Sequence, residues 1–476
     1  MWIVQWKHEL KLLAADRLVF GLAAVLAGLI AYGLYNGMSW ARFQERAIAS
    51  ARAEENEAIV ASKRQAERVR KGEEQVSYWN SPIDVRGFTW AHLVRYAAKP
   101  PAPLAPLAVG QSDLYPYLVK LNINAKAGFA DAYETVNPRK LLLGPFDPAF
   151  VIVYLLPLFV LALSHDLLAS EKEAGILGLL AAQPVSLRRL LSFKIGFRLG
   201  LLLLLTAGLL LIAVAVAGID PRQPGVGWRL VSWFGIVFAY CGFWFALAML
   251  VVSLGWRSAT NAAVLAASWL TVVILVPAGV NMFLAAAYPM PNRMDYIVRL
   301  RDAADDIRKA TDEIAEGFFA DHPELRPDAE SADDESKWVL GQLELDRRMQ
   351  AAVAEFTDAL QHQQDLAERL KFFSPALLTQ SAFLELTGTG LARHRQFLAQ
   401  IDAYHAELRD FFNPKLIRGD FAFDAFDDIP RFEYREESAG DLAGRVGTDL
   451  LGLAAPALLM GWLASIAVRR YRVAGS

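Results

Sequence analysis

The chain has 476 residues, 54% of them hydrophobic, with a mean hydropathy of +0.26 and a formal charge of −3. Those values suit a polytopic membrane protein rather than a soluble enzyme; the near balance of charge says nothing about nucleic acid, and no nucleic-acid partner is expected. The single cysteine, Cys241, excludes intramolecular disulfides and a Cys-based metal site, and its apolar setting reads as a small buried hydrophobe.

Six stretches approach the roughly 20 apolar residues that a helix needs to cross a bilayer: 18–35, 148–168, 199–217, 230–254, 259–286 and 448–468. Ahead of the first, segment 1–17 sets Trp2, Ile3, Trp6, Leu10 and Leu13 at helical spacing against Lys7, Glu9, Lys11 and Asp16, which predicts an interfacial helix. The first crossing follows Lys7, Lys11 and Arg17 as a signal peptide would, but "GLYNGMSW" (Gly33 to Trp40) offers no small-x-small cleavage site, so an uncleaved helix is expected. Segment 36–147 then opens with an Ala-, Glu-, Arg- and Lys-rich run over 39–75 that predicts a long polar helix. The proline-rich "KPPAPLAPLAVGQSDLYPYL" (Lys99 to Leu118) follows and predicts an extended, packed segment.

The second crossing leads into segment 169–198, which opens with "SEKEAG". Leu167, Leu168, Ile176, Leu177, Leu179 and Leu180 form an apolar face beside Glu171, Lys172 and Glu173; Pro184 then breaks the chain, and Arg188, Arg189 and Lys194 start the next helix. This is the pattern of a docking surface, not of a loose linker. Lys and Arg gather at Lys7, Lys11 and Arg17, across Lys172 to Arg198, at Arg257, and at Arg469, Arg470 and Arg472. Alternate crossings put all four sets on one side, so both termini and the tail 469–476 are expected in the cytoplasm.

In the fifth crossing, Pro277 and Gly279 predict either a structural kink or a gate near its outer end. Segment 288–447 lies outside. Apolar positions spaced by threes and fours from Ile297 to Phe318 and from Val339 to Leu370 predict two long antiparallel helices, joined by a mobile acidic tip over 320–337. From 291 to 447 there are 32 Asp and Glu against 19 Lys and Arg, an excess that either solvates an exposed domain or repels anions. The two outer segments differ in composition and are expected to build one domain together.

Motifs for chemistry fail one by one. A phosphate-binding loop needs Gly followed by Lys, a dipeptide that occurs nowhere; "HELKL" has Leu12 where a second zinc histidine belongs; "GTGLAR" ends in Arg393 where a dinucleotide turn has glycine; "GQSDL" lacks a second glycine. No enzyme and no cofactor are expected in this chain. No Asp, Glu, Lys or Arg stands in the central part of any of these crossings, which argues against gradient-driven antiport and for apolar or amphiphilic cargo.

Glu171, Lys172, Glu173 and Gly175, then Leu179, Leu180, Pro184 and Lys194, resemble the signature that ends the second crossing of ABC-2-type transporter permease subunits, with Lys172 where that family usually has Arg and Ile176 where it has Thr. The start, with Glu9 and Arg17, is similar to the family's elbow helix. "PLAPLAVGQSDLYPY", "SPALLTQSAFLELTGTG" and "FDDIPRFEYREE" resemble a bacterial branch with large insertions after the first and before the last crossing. The resemblance implies an all-α polytopic membrane protein of the inner (plasma) membrane, with six transmembrane helices and a mostly helical extracytoplasmic domain built from two insertions. It further implies pairing with a second copy or a sister permease, and docking of ABC ATPase subunits that hold ATP and Mg. Three functions follow as expectations: export of an amphiphile, mechanical transduction to an external partner, or a receptor without an ATPase, the last leaving the patterned loop unexplained.

Overall fold

The structure, a computed structural model, describes residues 17–126, 146–175, 187–289, 292–327 and 330–470. Apolar and then Ala-, Glu- and Arg-rich sequence with no proline gives one unbroken helix, Arg17–Arg70. Its 54 residues span roughly 80 Å at 1.5 Å per residue, of which a bilayer core takes about 30 Å. The expected crossing and polar helix are thus one rod, and the remainder stands out as a stalk. Gly33 and Gly37, one turn apart, mark where it leaves the bundle. A Cβ on Gly37 would sit 2.0 Å from the Pro106 oxygen and one on Gly33 2.7 Å from the Asp147 carbonyl carbon, so glycine is what lets both chains cross the rod here. Asn36 Nδ2 donates to Phe146 O at the same level (3.1 Å).

Six helices are long and apolar enough to span a membrane: Val19–Arg70, Pro148–Glu173, Arg189–Val216, Val226–Ser253, Ser258–Ala287 and Ala439–Ala467. The chain is therefore an all-α multi-pass membrane protein, with almost no strand among the described residues. The fourth helix is central, burying Trp233, Tyr240 and Trp244 against the second, third and sixth. The sixth starts at Ala439, well before the expected 448, because Ser438 caps it by accepting from Asp441 N (3.2 Å).

Strands β1 (Arg95–Ala98) and β2 (Leu118–Leu121) pair antiparallel, Arg95 opposite Leu121 and Ala98 opposite Leu118. The proline-rich stretch between them is packed as expected, with Leu104, Leu107 and Ala108 buried against the bundle. The second insertion runs through helices Arg293–Lys309, Thr311–Asp321, Glu330–Leu370, Pro375–Thr387 and Leu391–Arg418. Two expectations need correction. The first arm of the hairpin is two helices, both packed on Glu330–Leu370. The acidic tip is not structureless throughout: the helix already runs from Glu330, Ser336 is buried, and Lys337 pairs with Asp312 at 2.8 Å.

The two insertions share one core and one backbone bridge. Phe88 stacks among Phe412, Phe423 and Phe426 at 4.4–6.1 Å between centroids, over Ile59 and Ala66 of the stalk. Val85 N donates to Phe421 O (2.8 Å) and Phe423 N to Ile83 O (2.9 Å). Helix Pro375–Thr387 is the exception: Leu378, Ala382, Phe383 and Leu386 bury in the membrane bundle, Phe383 stacked on Trp233 at 3.8 Å. Its 13 residues are too short to cross.

Candidate functional site

At the end of the bundle opposite the insertions, the second crossing ends at Ser164, turns, and adds the short helix Ala169–Glu173, closed by Gly175 at φ +72°. Each charged residue of "SEKE" bonds to a different helix or turn. Glu171 pairs with Lys194, whose Nζ also donates to Leu167 O (3.3 Å). Lys172 Nζ donates to Gly255 O (3.0 Å), in the turn between the fourth and fifth crossings. Glu173 Oε1 accepts from Ser258 N (2.8 Å), the first residue of the fifth, where negative charge meets the positive end of the helix dipole. One turn after Lys194, Arg198 donates to Leu163 O and to Asp166 Oδ1 (3.1 Å), and Asn261 Nδ2 to His165 O (3.1 Å). The ends of the second, third and fifth crossings are clamped into one body.

Of the residues singled out from sequence, Glu171, Lys172, Glu173 and Lys194 come together in this clamp, and Gly175 closes it. Arg189 is exposed on the next helix, and Arg17 opens the first helix, also exposed. Glu9, Leu179, Leu180 and Pro184, with the side chain of Arg188, lie outside the described residues. Asp166, Arg198 and Asn261 were missed as members, although Lys194 and Arg198 share a helix face at i, i+4.

Pro277 does not break the fifth crossing. A π turn, Leu270–Leu275, precedes helix Val276–Ala287, with Pro277 at its second residue. The second crossing repeats the arrangement: π turn Val151–Leu155, then Leu156–Ser164 with Pro157 second. A proline has no N–H to return to the preceding turn, so carbonyls are released. Side chains from other helices take them up. Tyr240 Oη donates to Val153 O (2.7 Å), Trp269 Nε1 to Tyr154 O (3.0 Å), and Ser374 Oγ to Val272 O (2.8 Å). Trp269 thus ties the two π-interrupted crossings to each other. Gly279 meets nothing where a Cβ would stand, so close packing does not demand it.

On the insertion side, the long helix Glu330–Leu370 is pinned to the bundle just past its end. Lys371 Nζ lies 2.7 Å from Asp449 Oδ1 of the sixth crossing, a fully buried carboxylate, and 2.6 Å from Glu368. Arg445 holds Glu385 and Glu437 (2.6 Å each), and Arg393 holds Glu436 (2.6 Å) and Pro100 O (2.9 Å). Beside Arg393, burial pushes the Lys99 ammonium down to about 7, with the Arg393 charge adding to it. Burial, with Lys99 adding, pushes His394 down to about 3, its ring stacked on Tyr115 at 4.3 Å. These contacts join the second insertion to the bundle and to the first insertion.

Fold and clamp together define the class: an integral, multi-pass membrane protein whose ordered charges fasten helix ends at both faces of the bundle. Residues 293–435 are similar to the family described as Domain of unknown function (DUF3526), a match confined to the second insertion. No curated protein and no solved structure matches the chain.

Proposed function

We propose that this chain is the membrane-spanning subunit of an ABC-2-type transporter, passing the motion of a separate ATPase to a pathway for an apolar or amphiphilic substrate. The observation that carries the reading is the clamp of Glu171, Lys172 and Glu173 on Lys194, Gly255 and Ser258. A force on the segment between the second and third crossings would move three helices together, as conversion of a partner's rigid-body motion requires. In this reading the clamp and both termini face the cytoplasm of a bacterial cell, a second copy or sister permease completes the pathway, and ATP and magnesium reside on the ATPase. The test is purification of the tagged chain from its native membranes. The expected result is a stoichiometric nucleotide-hydrolysing subunit, with hydrolysis that loses its dependence on the permease when exposed Arg189 is reversed (Arg189→Glu). Recovery of the chain without any ATPase would refute the reading.

A second reading, mechanical transduction without cargo, is favoured by the Lys371–Asp449 and Ser374–Val272 joints, which fix a 41-residue helix to two crossings. A bundle sealed in every nucleotide state would select it over export.

A further inference from the structure

Where the second insertion meets the bundle, a cleft opens between the first turn of the fourth crossing, with Arg229, the end of helix Pro375–Thr387, with Leu384 and Glu385, and the approach to the sixth crossing, with Glu437 and Leu442. Counting Arg445, which bonds two of the carboxylates, three arginines meet three glutamates here, but they are shared unevenly. Arg393 is saturated: its three nitrogens donate to Glu436, Gly388 O and Pro100 O. Arg445 is divided between two acids, both of its bonds to Glu385 ending on Oε2 (2.9 and 2.6 Å) and the other two on Glu437 (2.6 and 2.7 Å). Two groups are left over. Glu385 Oε1 accepts no hydrogen bond among the described residues, and it lies 3.3 Å from where a Cβ on Gly390, in the cleft wall, would stand. The half-buried Arg229 has no hydrogen bond or ion pair among the described residues, and its Nε is shut off from water.

A guanidinium and a carboxylate oxygen that line one cleft, do not bond each other and have no other partner are costly to leave in a folded chain. Their chemistry restricts what fits between them. A bare anion satisfies Arg229 but faces Glu385 and Glu437, which hold two negative charges against the one positive charge of Arg445; a bare cation satisfies the acids but faces Arg229. A zwitterion suits both ends, its anion on the guanidinium fork and its N–H donors on the carboxylates. Depth narrows the source. At 1.5 Å per residue Arg229 stands roughly 36 Å from Ser253 at the far end of its crossing, and Leu442 roughly 38 Å from Ala467 at the far end of the sixth. A bilayer core takes about 30 Å of that, so both stand in the headgroup layer on the insertion side. There a phosphate with an ammonium beside it is the common zwitterion, and Leu384 and Leu442 give the cleft an apolar wall for the glycerol end.

We propose that this cleft binds the headgroup of a phospholipid with a primary ammonium, phosphatidylethanolamine, from the insertion-side leaflet, with Arg229 on the phosphate and Glu385 and Glu437 on the ammonium. The assignment is independent of whether the chain carries a cargo. The full chain, delipidated in detergent, is titrated in native mass spectrometry with phosphatidylethanolamine, phosphatidylcholine, phosphatidylglycerol and soluble phosphoethanolamine. Phosphatidylethanolamine is retained at least about fivefold more tightly than phosphatidylcholine, whose cation has no N–H, and than phosphatidylglycerol, which has no cation. Arg229→Gln weakens that retention about tenfold, and it melts with the wild type because it breaks no bond within the chain. Arg222→Gln, at an exposed arginine of the adjoining turn, leaves retention unchanged. Equal retention of the three lipids, full retention by Arg229→Gln, or phosphoethanolamine bound as tightly as the lipid would each overturn the proposal.

Discussion

The two ends of the membrane bundle are both fastened by charge, but in different ways. At the end away from the insertions, Lys172, Glu173 and Arg198 bond to backbone groups at helix termini beside the ion pairs Glu171–Lys194 and Arg198–Asp166, so the clamp holds helices of a single bundle to one another. At the insertion end, Lys371–Asp449 and Arg445–Glu385 join a crossing to residues of the second insertion, each pairing one ionised side chain with another. Bonds to helix ends are short-range and tolerate the loss of one member. Buried pairs between separate bodies do not, because losing one partner strands the other charge in a medium that cannot solvate it.

Substitutions test that contrast. The largest effect is expected at Lys371: Lys371→Met leaves Asp449 buried and unpaired, costing about 3–5 kcal/mol, and adding Asp449→Asn restores most of it. Thermal melts of the three variants in nanodiscs read this out, and a single variant as stable as the double would break the comparison. Lys99 comes next. Faced by Arg393, Glu436, His394 and the ring of Phe397 (5.5 Å), its folded pKa of about 7 lies below the unfolded 10.5. The unfolded chain therefore holds the extra proton between about pH 7 and 10, and stability rises with pH across that window. From pH 7 to 9 this residue contributes up to ~2.5 kcal/mol, so the advantage of Lys99→Met over wild type shrinks as pH rises; an advantage constant with pH would remove Lys99 from the account.

Between the two ends, Tyr240→Phe strands the Val153 carbonyl inside the bundle at a cost of about 1–3 kcal/mol. Smallest is Lys172→Met, about 1–2 kcal/mol for one charged hydrogen bond to Gly255 O at an edge that water reaches. If Lys172→Met proved more damaging to folding than Lys371→Met, the ranking of the two ends would be reversed.

Much of this was legible in the sequence. Apolar runs located all six crossings, and "SEKEAG" marked Glu171, Lys172 and Glu173 as an ordered cluster, though it was read as a docking surface and their bonds to other helices of the same chain carried no local sign. The rod was not legible as one element, because hydrophobicity changes near Asn36 while helix propensity does not, and only hydropathy marks a boundary. Helix Pro375–Thr387 is too short for a crossing, and its burial depends on Trp233, far away in the chain. The π turns needed partners equally remote: Pro277 was singled out and Pro157 was not, and Tyr240, Trp269 and Ser374, which take up the freed carbonyls, carry no local mark. Asp449 did leave a signal, as the only acid in 446–468, but its partner Lys371 lies 78 positions upstream.

The two π turns also differ in surroundings. In the most apolar 18-residue stretch of the second crossing 67% of residues are buried within the protein, against 11% in the fifth. The same backbone device is mostly buried within the chain in one helix and little buried in the other, so the part of the fifth crossing beyond its π turn is the less held by its own chain. Pulsed electron resonance between spin labels at exposed Ala174, beside the clamp, and exposed Met282, beyond the fifth-crossing π turn, measures this directly in the complex with the ATPase subunit that the proposed function calls for. The account predicts a change of about 2 Å or more on adding ATP and magnesium. An unchanged distance in every nucleotide state would contradict it.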